Sequence, residues 1–409
     1  MKNLGIKISL FLNYFVFAIL LNSVGIVIAK SINVYGVSES QASVLEAFKD
    51  LPIAIVSFFV ASFLPRFGYK KAMLSGLGIV FFGCLLMVYG NSFFYTKILF
   101  LSIGVSFALI KLSVYSLIGI VTNSKEEHSL LMSSIEGFFM VGIALAYILF
   151  PAFYSEDKDS WLNVYYVLSV LIGLSFLFLF FSKVEYKVES AGSNAMEDIV
   201  ASLRLILVSL VLVFIVSAFL FVMIEQGIMT WLPRFNEKIF QFSEKLSVQM
   251  AIIFALSLAA GRFIAGFLTK RIKWVYLVII CIVISAGILL LVLPNLDVKT
   301  ESLVTIDSIS NVPVLGFVLP LIGLFIAPIY PLLNSTVLSS LPKRLHSPMS
   351  GLIIIFSALG GTIGSRVVGE LFESIGGSKA FYFLLIPMVL LIVFVLLIEK
   401  LSKKDTIFN

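Results

Sequence analysis

Glu46, Lys49, Asp50, Lys111, Glu136, Glu225, Arg262 and Arg366 all stand inside stretches that are otherwise apolar. A charge at the middle of a membrane span costs roughly 2.5–3.5 kcal/mol on insertion scales, so such residues turn towards a bundle interior or a water-filled cavity. The chemistry open to them there is ion pairing, proton transfer and the binding of a polar or charged group. In "SVLEAFKDLPIAIVSFFVASFL", residues 43–64, Glu46 and Asp50 are four apart and Lys49 is three from Glu46, so the group shares a helix face and partly neutralises itself. At 1.5 Å per residue, Glu46 and Asp50 lie about 8 and 14 Å from one end of their span, Glu225 about 12 Å and Arg366 about 6 Å from the same side. Lys111, Glu136 and Arg262 lie about 15, 11 and 10 Å from the opposite side, which makes two tiers. Lys111 and Glu136 sit on consecutive spans at similar depth. Such a pair exchanges a proton or receives a charged group; the alternative is a structural ion pair. For Arg262 and Arg366 the plain reading is static pairing between helices, and for Lys49 it is a long amine that snorkels to the interface.

Uncharged groups join them. Asn22, Tyr115 one turn below Lys111, Gln226, Trp231, Tyr330 and Asn334 offer amides, hydroxyls and ring faces that suit a sugar-like molecule. Aromatic residues make up 14% of the chain, so any one of them is more often packing than contact. Pro328 and Pro331 either free carbonyls towards a cavity or only kink their helix.

These groups are positioned by membrane spans. Sixty per cent of the 409 residues are hydrophobic, 13% are charged and the mean hydropathy is +1.10, far from a soluble composition. Apolar runs of roughly 20 residues predict twelve helices, at 6–29, 41–64, 72–90, 96–121, 129–153, 161–182, 205–232, 245–269, 274–293, 313–338, 348–370 and 379–399. The opening "MKNLGIKISLFLNYFVFAILLNSVGIVIAK" has no A-x-A site and is read as a retained first helix, not a leader. With the N-terminus inside, the inner segments hold about twice as many Lys and Arg as the outer ones, which predicts that both termini are inside. The net charge of +6 therefore reports topology and not a nucleic-acid partner. Cys84 and Cys281 fall in apolar stretches and are expected to pack as small hydrophobes.

Residues 59–66, FVASFLPR, and 263–270, FIAGFLTK, match at an offset of 204, half the chain, and each ends a span at a basic turn. Duplication of a six-helix unit accounts for this. The expected domains are an N-terminal half, 1–182, a cytoplasmic linker, 183–204, and a C-terminal half, 205–409.

"LPRFGYKKAMLSGL" at 64–77 resembles the inner loop between helices 2 and 3 of the major facilitator superfamily. "AAGRFIAGFLTKR" at 259–271 is similar to its counterpart in the second half. "IEQGIMTWLPRF", "IYPLLNSTVLSSLP" and "GLIIIFSALGGTIGS" resemble helices 7, 10 and 11 of the fucose and sugar–proton symporters. The resemblance spans nearly the whole chain. It implies an all-α, twelve-helix transporter in the cytoplasmic (inner) membrane, working by alternating access on a small polar solute, most simply a sugar, with protons as driving ion. Within such a transporter the expected substrate contacts are the groups read above from their chemistry and depth, Asn22, Lys111, Tyr115, Gln226, Trp231, Tyr330 and Asn334. The resemblance brings helix 2 near helix 11 and helix 5 near helix 8, so that Glu46 or Asp50 meets Arg366 and Glu136 meets Arg262 as gates. The acids that titrate in fucose permeases fall at Lys111 and Gly25 here. Proton coupling is then expected at Glu136 or Glu225.

A charged solute such as an amino acid or carboxylate is the alternative, favoured by Lys111; a transport-inactive sensor is the rival from another class. No P-loop, H-E-x-x-H or G-x-S-x-G stands out and His128 and His346 fall in inner loops, so neither an enzyme, a metal nor a cofactor is expected. The expected partners are solute, proton and lipid bilayer around a monomer.

Overall fold

The computed structural model describes residues 4–60, 64–122, 124–182, 204–269, 271–296, 305–340 and 346–402. It is nearly all helix, which is what a lipid environment requires: a helix satisfies its own backbone, and no water is present to do so. Eleven helices among the described residues are long and apolar enough to cross a membrane. The remaining expected span, 41–64, carries a 17-residue helix with Pro52 inside it and the charges that lower its hydropathy.

We label the main helices α1 (Leu4–Asn22), α2 (Val24–Tyr35), α3 (Val44–Val60), α4 (Tyr69–Gly90), α5 (Phe93–Val121), α6 (Lys125–Leu149), α7 (Val164–Phe181), α8 (Ser209–Lys238), α9 (Glu244–Leu268), α10 (Trp274–Val292), α11 (Ile329–Ser340), α12 (His346–Ile375) and α13 (Leu385–Ser402). The first expected span is thus two helices, divided at Ser23. There the Asn22 amide donates to the Ala18 carbonyl at 2.8 Å and the Ser23 hydroxyl to that of Leu20 at 2.8 Å. The tenth span is also interrupted. Pro328 falls between the short helix Ile322–Ile326 and α11, where a break was expected; Pro331 lies in the first turn of α11 without interrupting it, and a further break, not expected, falls at Pro320 in the 3-10 turn Leu319–Leu321. Elsewhere helix ends follow local chemistry: Ser124 caps α6 by accepting from Glu127 N at 3.1 Å, and Asn91 ends α4 in the left-handed conformation.

The chain divides into two compact units. The first comprises 1–24 and 48–197. In it α4 lies along α5 and α1 along α6, and Gly104 of α5 admits the Lys49 carbonyl so closely that a Cβ would sit 2.3 Å from it. The second comprises 25–47 and 198–409, and is built around α8 packed on α12. The predicted linker lies outside the described residues except for Arg204. Cys84 and Cys281 are buried free thiols, as expected.

Large apolar side chains are exposed in stripes. On α10, Tyr276, Ile280 and Val283 recur at helical spacing, and Phe82, Phe181, Phe263 and Phe267 are each mostly exposed. In water such surface would be a liability; acyl chains solvate it. Buried hydroxyls such as Ser217 and Ser285 donate to the carbonyl four residues back, so they need no other partner.

Candidate functional site

In the first unit the structure brings together Lys111, Tyr115 and Glu136. α6 begins at Lys125, so Glu136 lies about 16 Å along it and Lys111 about 15 Å from the adjoining end of α5: the two are level. The Tyr115 hydroxyl donates to Glu136 Oε1 at 2.9 Å. The Lys111 ammonium rests over the rings of Phe107 and Tyr115, 5.8 and 5.9 Å from their centroids. Among the described residues of its unit no carboxylate lies within 4.0 Å of that ammonium, so the direct Lys111–Glu136 ion pair is not formed. Tyr115 stands between the two charges with its ring to the cation and its hydroxyl to the anion. Tyr14 of α1 closes the cluster, 6.1 Å from the Tyr115 ring and 5.5 Å from that of Phe139. Lys111, Tyr115 and Glu136 are all half-buried. A charged group that deep with exposed surface faces water in preference to lipid.

The second unit holds a further polar group. Glu225 of α8 lies 4.0 Å from the Arg262 guanidinium of α9, and its charge also reaches Tyr330. Tyr330 stacks on Phe221 at 5.3 Å and shares a hydrogen bond with Ser357 at 3.1 Å; Asn334, one turn on, has a buried amide oxygen without a partner. Gln226 accepts from Thr230 at 3.5 Å.

Several expectations need correction. Trp231 is fully buried; its indole donates to the Ser365 carbonyl at 3.0 Å and its ring stacks on Phe372 at 5.7 Å, which makes it a packing residue. Asn22 spends its amide on its own helix end. Lys49 does not snorkel: it is buried, with Asp50 at 3.5 Å. Arg366 does not pair with Glu46. It binds the Ser40 carbonyl, Ser43 at 3.4 Å and Glu370 at 2.8 Å, while fully buried Glu46 accepts from Thr230 at 3.3 Å. Gly25, one of the two positions where the resemblance implies an acid, lies so close to the Thr230 backbone that a Cβ would be 2.5 Å from its carbonyl oxygen. No acidic side chain fits there.

Sequence reasoning missed one network entirely. Arg234, 4% exposed, donates to Glu39 from two nitrogens at 3.2 and 2.8 Å, to Asn33 at 2.9 Å and to Glu237 at 3.1 Å. Lys30, also buried, pairs with Glu244 at 2.8 Å. The signal was present in the i, i+3 spacing of Arg234 and Glu237, but α8 continues to Lys238, six residues past the apolar run. Among the described residues no cluster of His, Cys, Asp and Glu is arranged to hold a metal.

A comparison with curated proteins gives no match. Solved structures do match in fold. A bacterial homologue of the human lysosomal transporter Spinster, in an inward-facing and occupied conformation, aligns with TM-score 0.76 at 13% identity, covering 97% of this chain and 96% of that one. A D-xylose-proton symporter gives 0.69 at 14%, covering 97% of each, and the E. coli fucose:proton symporter FucP 0.65 at 14%, covering 97% and 99%. At these identities the likeness concerns the fold. The family model described as Major Facilitator Superfamily matches residues 8–365. With that match over most of its length and a helical, polytopic structure around it, the chain belongs to the major facilitator superfamily of membrane transporters.

Proposed function

We propose that this transporter moves a small polar solute across the cytoplasmic membrane by alternating access between two six-helix halves joined at 183–204, with both termini inside and with protons as the driving ion. It acts as a monomer. The observation that carries the reading is the Lys111–Tyr115–Glu136 cluster: ionisable groups held mid-span, level with one another, half-exposed and not consumed by a mutual ion pair. The second unit holds a polar group of its own, Glu225, Arg262, Tyr330 and Asn334. A sugar is supported by these hydroxyl, amide and ring groups and by the fold neighbours named as xylose and fucose symporters. A charged solute is supported by a different observation, the Lys111 ammonium with no carboxylate in contact among the described residues of its unit.

Gating fits the contacts of residues 25–47 within the second unit, where Glu46, Ser40 and Ser43 are tied to Thr230 and Arg366. Asp50 and Arg262 are the other candidate gate residues. Opening the outer side requires these bonds to break and re-form in each cycle.

The test is transport by purified protein in proteoliposomes, after a thermal-shift screen of sugars, amino acids and organic acids. A stabilising compound that also exchanges across the bilayer supports the reading. Binding without flux would make the protein a sensor instead. Uphill accumulation under a pH gradient that survives both Glu136→Gln and Glu225→Gln would remove these two acids from the coupling step.

A further inference from the structure

We propose that the solute is an organic anion, received by the Lys111 ammonium, and that its arrival draws one proton from the surrounding water onto Glu136, so that one anion crosses with one proton. This rests on the transporter reading above and deepens it.

In the structure Lys111 meets two ring faces, of Phe107 and Tyr115, and Glu136 is held by the Tyr115 hydroxyl at 2.9 Å. A ring face attracts a cation but accepts none of the three ammonium protons in a full hydrogen bond. What those donors lack is a negatively charged oxygen. A carboxylate or phosphate supplies it; a neutral hydroxyl leaves the charge uncompensated. Glu136 balances Lys111 electrostatically without touching it, since their charges act on one another across Tyr115. Once an anion neutralises Lys111, Glu136 becomes an unbalanced carboxylate within an apolar span, and protonation restores the original net charge. Lys111 stays protonated throughout, no covalent bond forms, and the proton rests on a Glu136 oxygen until the anion leaves.

The titratable groups facing Glu136 are few. Tyr14 approaches from α1, and Lys111 and Tyr115 from α5. Lys7 of α1 is bound to Glu127 at 2.6 Å, nine residues or about 14 Å before Glu136 on α6. Nothing else on the neighbouring helices competes for the exchange among the described residues. A static ion pair would instead place the two charges in contact, which is not what the side chains do.

The experiment uses the full chain and matched probes: D-glucuronate against D-glucose, and D-ribose 5-phosphate against D-ribose. Thermal shift and counterflow in proteoliposomes should favour at least one acid over its neutral counterpart. For that acid, Lys111→Gln should weaken binding roughly a hundredfold and Lys111→Arg should recover most of it. In weakly buffered solution the wild type should take up about one proton per anion bound, and Glu136→Gln none. Melting curves of each variant separate loss of binding from loss of fold. Equal handling of neutral and acidic probes, wild-type affinity in Lys111→Gln, anion binding without proton uptake, or no response to either acid would each overturn the inference. Exchange of the neutral sugars alone overturns it while leaving the transporter reading intact; binding of any probe without flux removes the transporter reading itself.

Discussion

Arg234 and Lys111 are both cations in a membrane protein, yet their surroundings differ in a way that separates holding from binding. Arg234 is almost completely buried and its guanidinium is met on several sides, by Glu39, Asn33 and Glu237. All three nitrogens of its planar fork donate, which a guanidinium does well and an ammonium does poorly. Lys111 is half-buried, faces two rings and has its nearest acid engaged by a tyrosine. A saturated network has nothing to offer a ligand, whereas an unsaturated one does. The two sites therefore respond differently to removal of their charge, one in stability and the other in affinity.

The largest effect should come from Arg234→Ala. It leaves Glu39 and Glu237 without their cation in a closely packed place, a situation that typically costs 3–5 kcal/mol. A melting temperature in detergent that falls well below wild type is the expected result, with Arg234→Lys intermediate because one charge remains but the fork does not. If Arg234→Ala melts with the wild type, the network is not what holds residues 25–47 to α8, and the contrast with Lys111 fails.

The fold was legible because its signal is redundant. Apolar runs of membrane-spanning length recur along the whole chain, and lipid permits few alternatives to a helix. The site was legible only where charge stood against an apolar background: Lys111 and Glu136 were found that way, and they do share a face of the first unit. Three features were not. That Tyr115 separates the pair depends on side-chain directions on two different helices. Arg234 was hidden because α8 extends beyond its hydrophobic run, so a buried cation looked like part of a loop. Trp231 looked like a solute contact because an aromatic side chain in a polar motif reads the same whether it faces a cavity or Ser365.

A second, smaller effect sharpens the comparison from the other side. Tyr115→Phe keeps the ring under Lys111 and removes only the hydroxyl donated to Glu136. The lost hydrogen bond to a charged acceptor should lower stability by about 1 kcal/mol, and Glu136 becomes free to turn towards Lys111. Solute affinity should then fall, since the cation gains an internal competitor. Adding Glu136→Gln to Tyr115→Phe should restore affinity but not proton uptake. Unchanged binding in Tyr115→Phe would show that the tyrosine does not keep the charges apart.

Lys111→Gln itself should change stability by less than about 1 kcal/mol, because Glu136 retains its tyrosine donor and does not become an orphan. A structural ion pair makes the opposite forecast: a loss of several kcal/mol, recovered when Glu136→Gln is added. Denaturation of the single and double variants in parallel decides between them.

The smallest effect is expected at Arg262, and it tests whether the contrast extends to the second unit. Its guanidinium is 4.0 Å from Glu225 and its side chain 41% exposed, so the pair is long and well hydrated compared with the Arg234 network. Pairs of that kind contribute about 0–1 kcal/mol. Arg262→Gln should therefore melt within a degree or so of wild type. Its consequence should appear in transport instead. With the guanidinium gone, Glu225 loses its neighbouring cation, and if Glu225 takes part in coupling, the pH dependence of uphill uptake should move while counterflow at saturating solute does not. A large fall in stability would instead place Arg262 with Arg234 among the cations that hold the fold, and would leave Lys111 as the one charge in this comparison whose surroundings are incomplete.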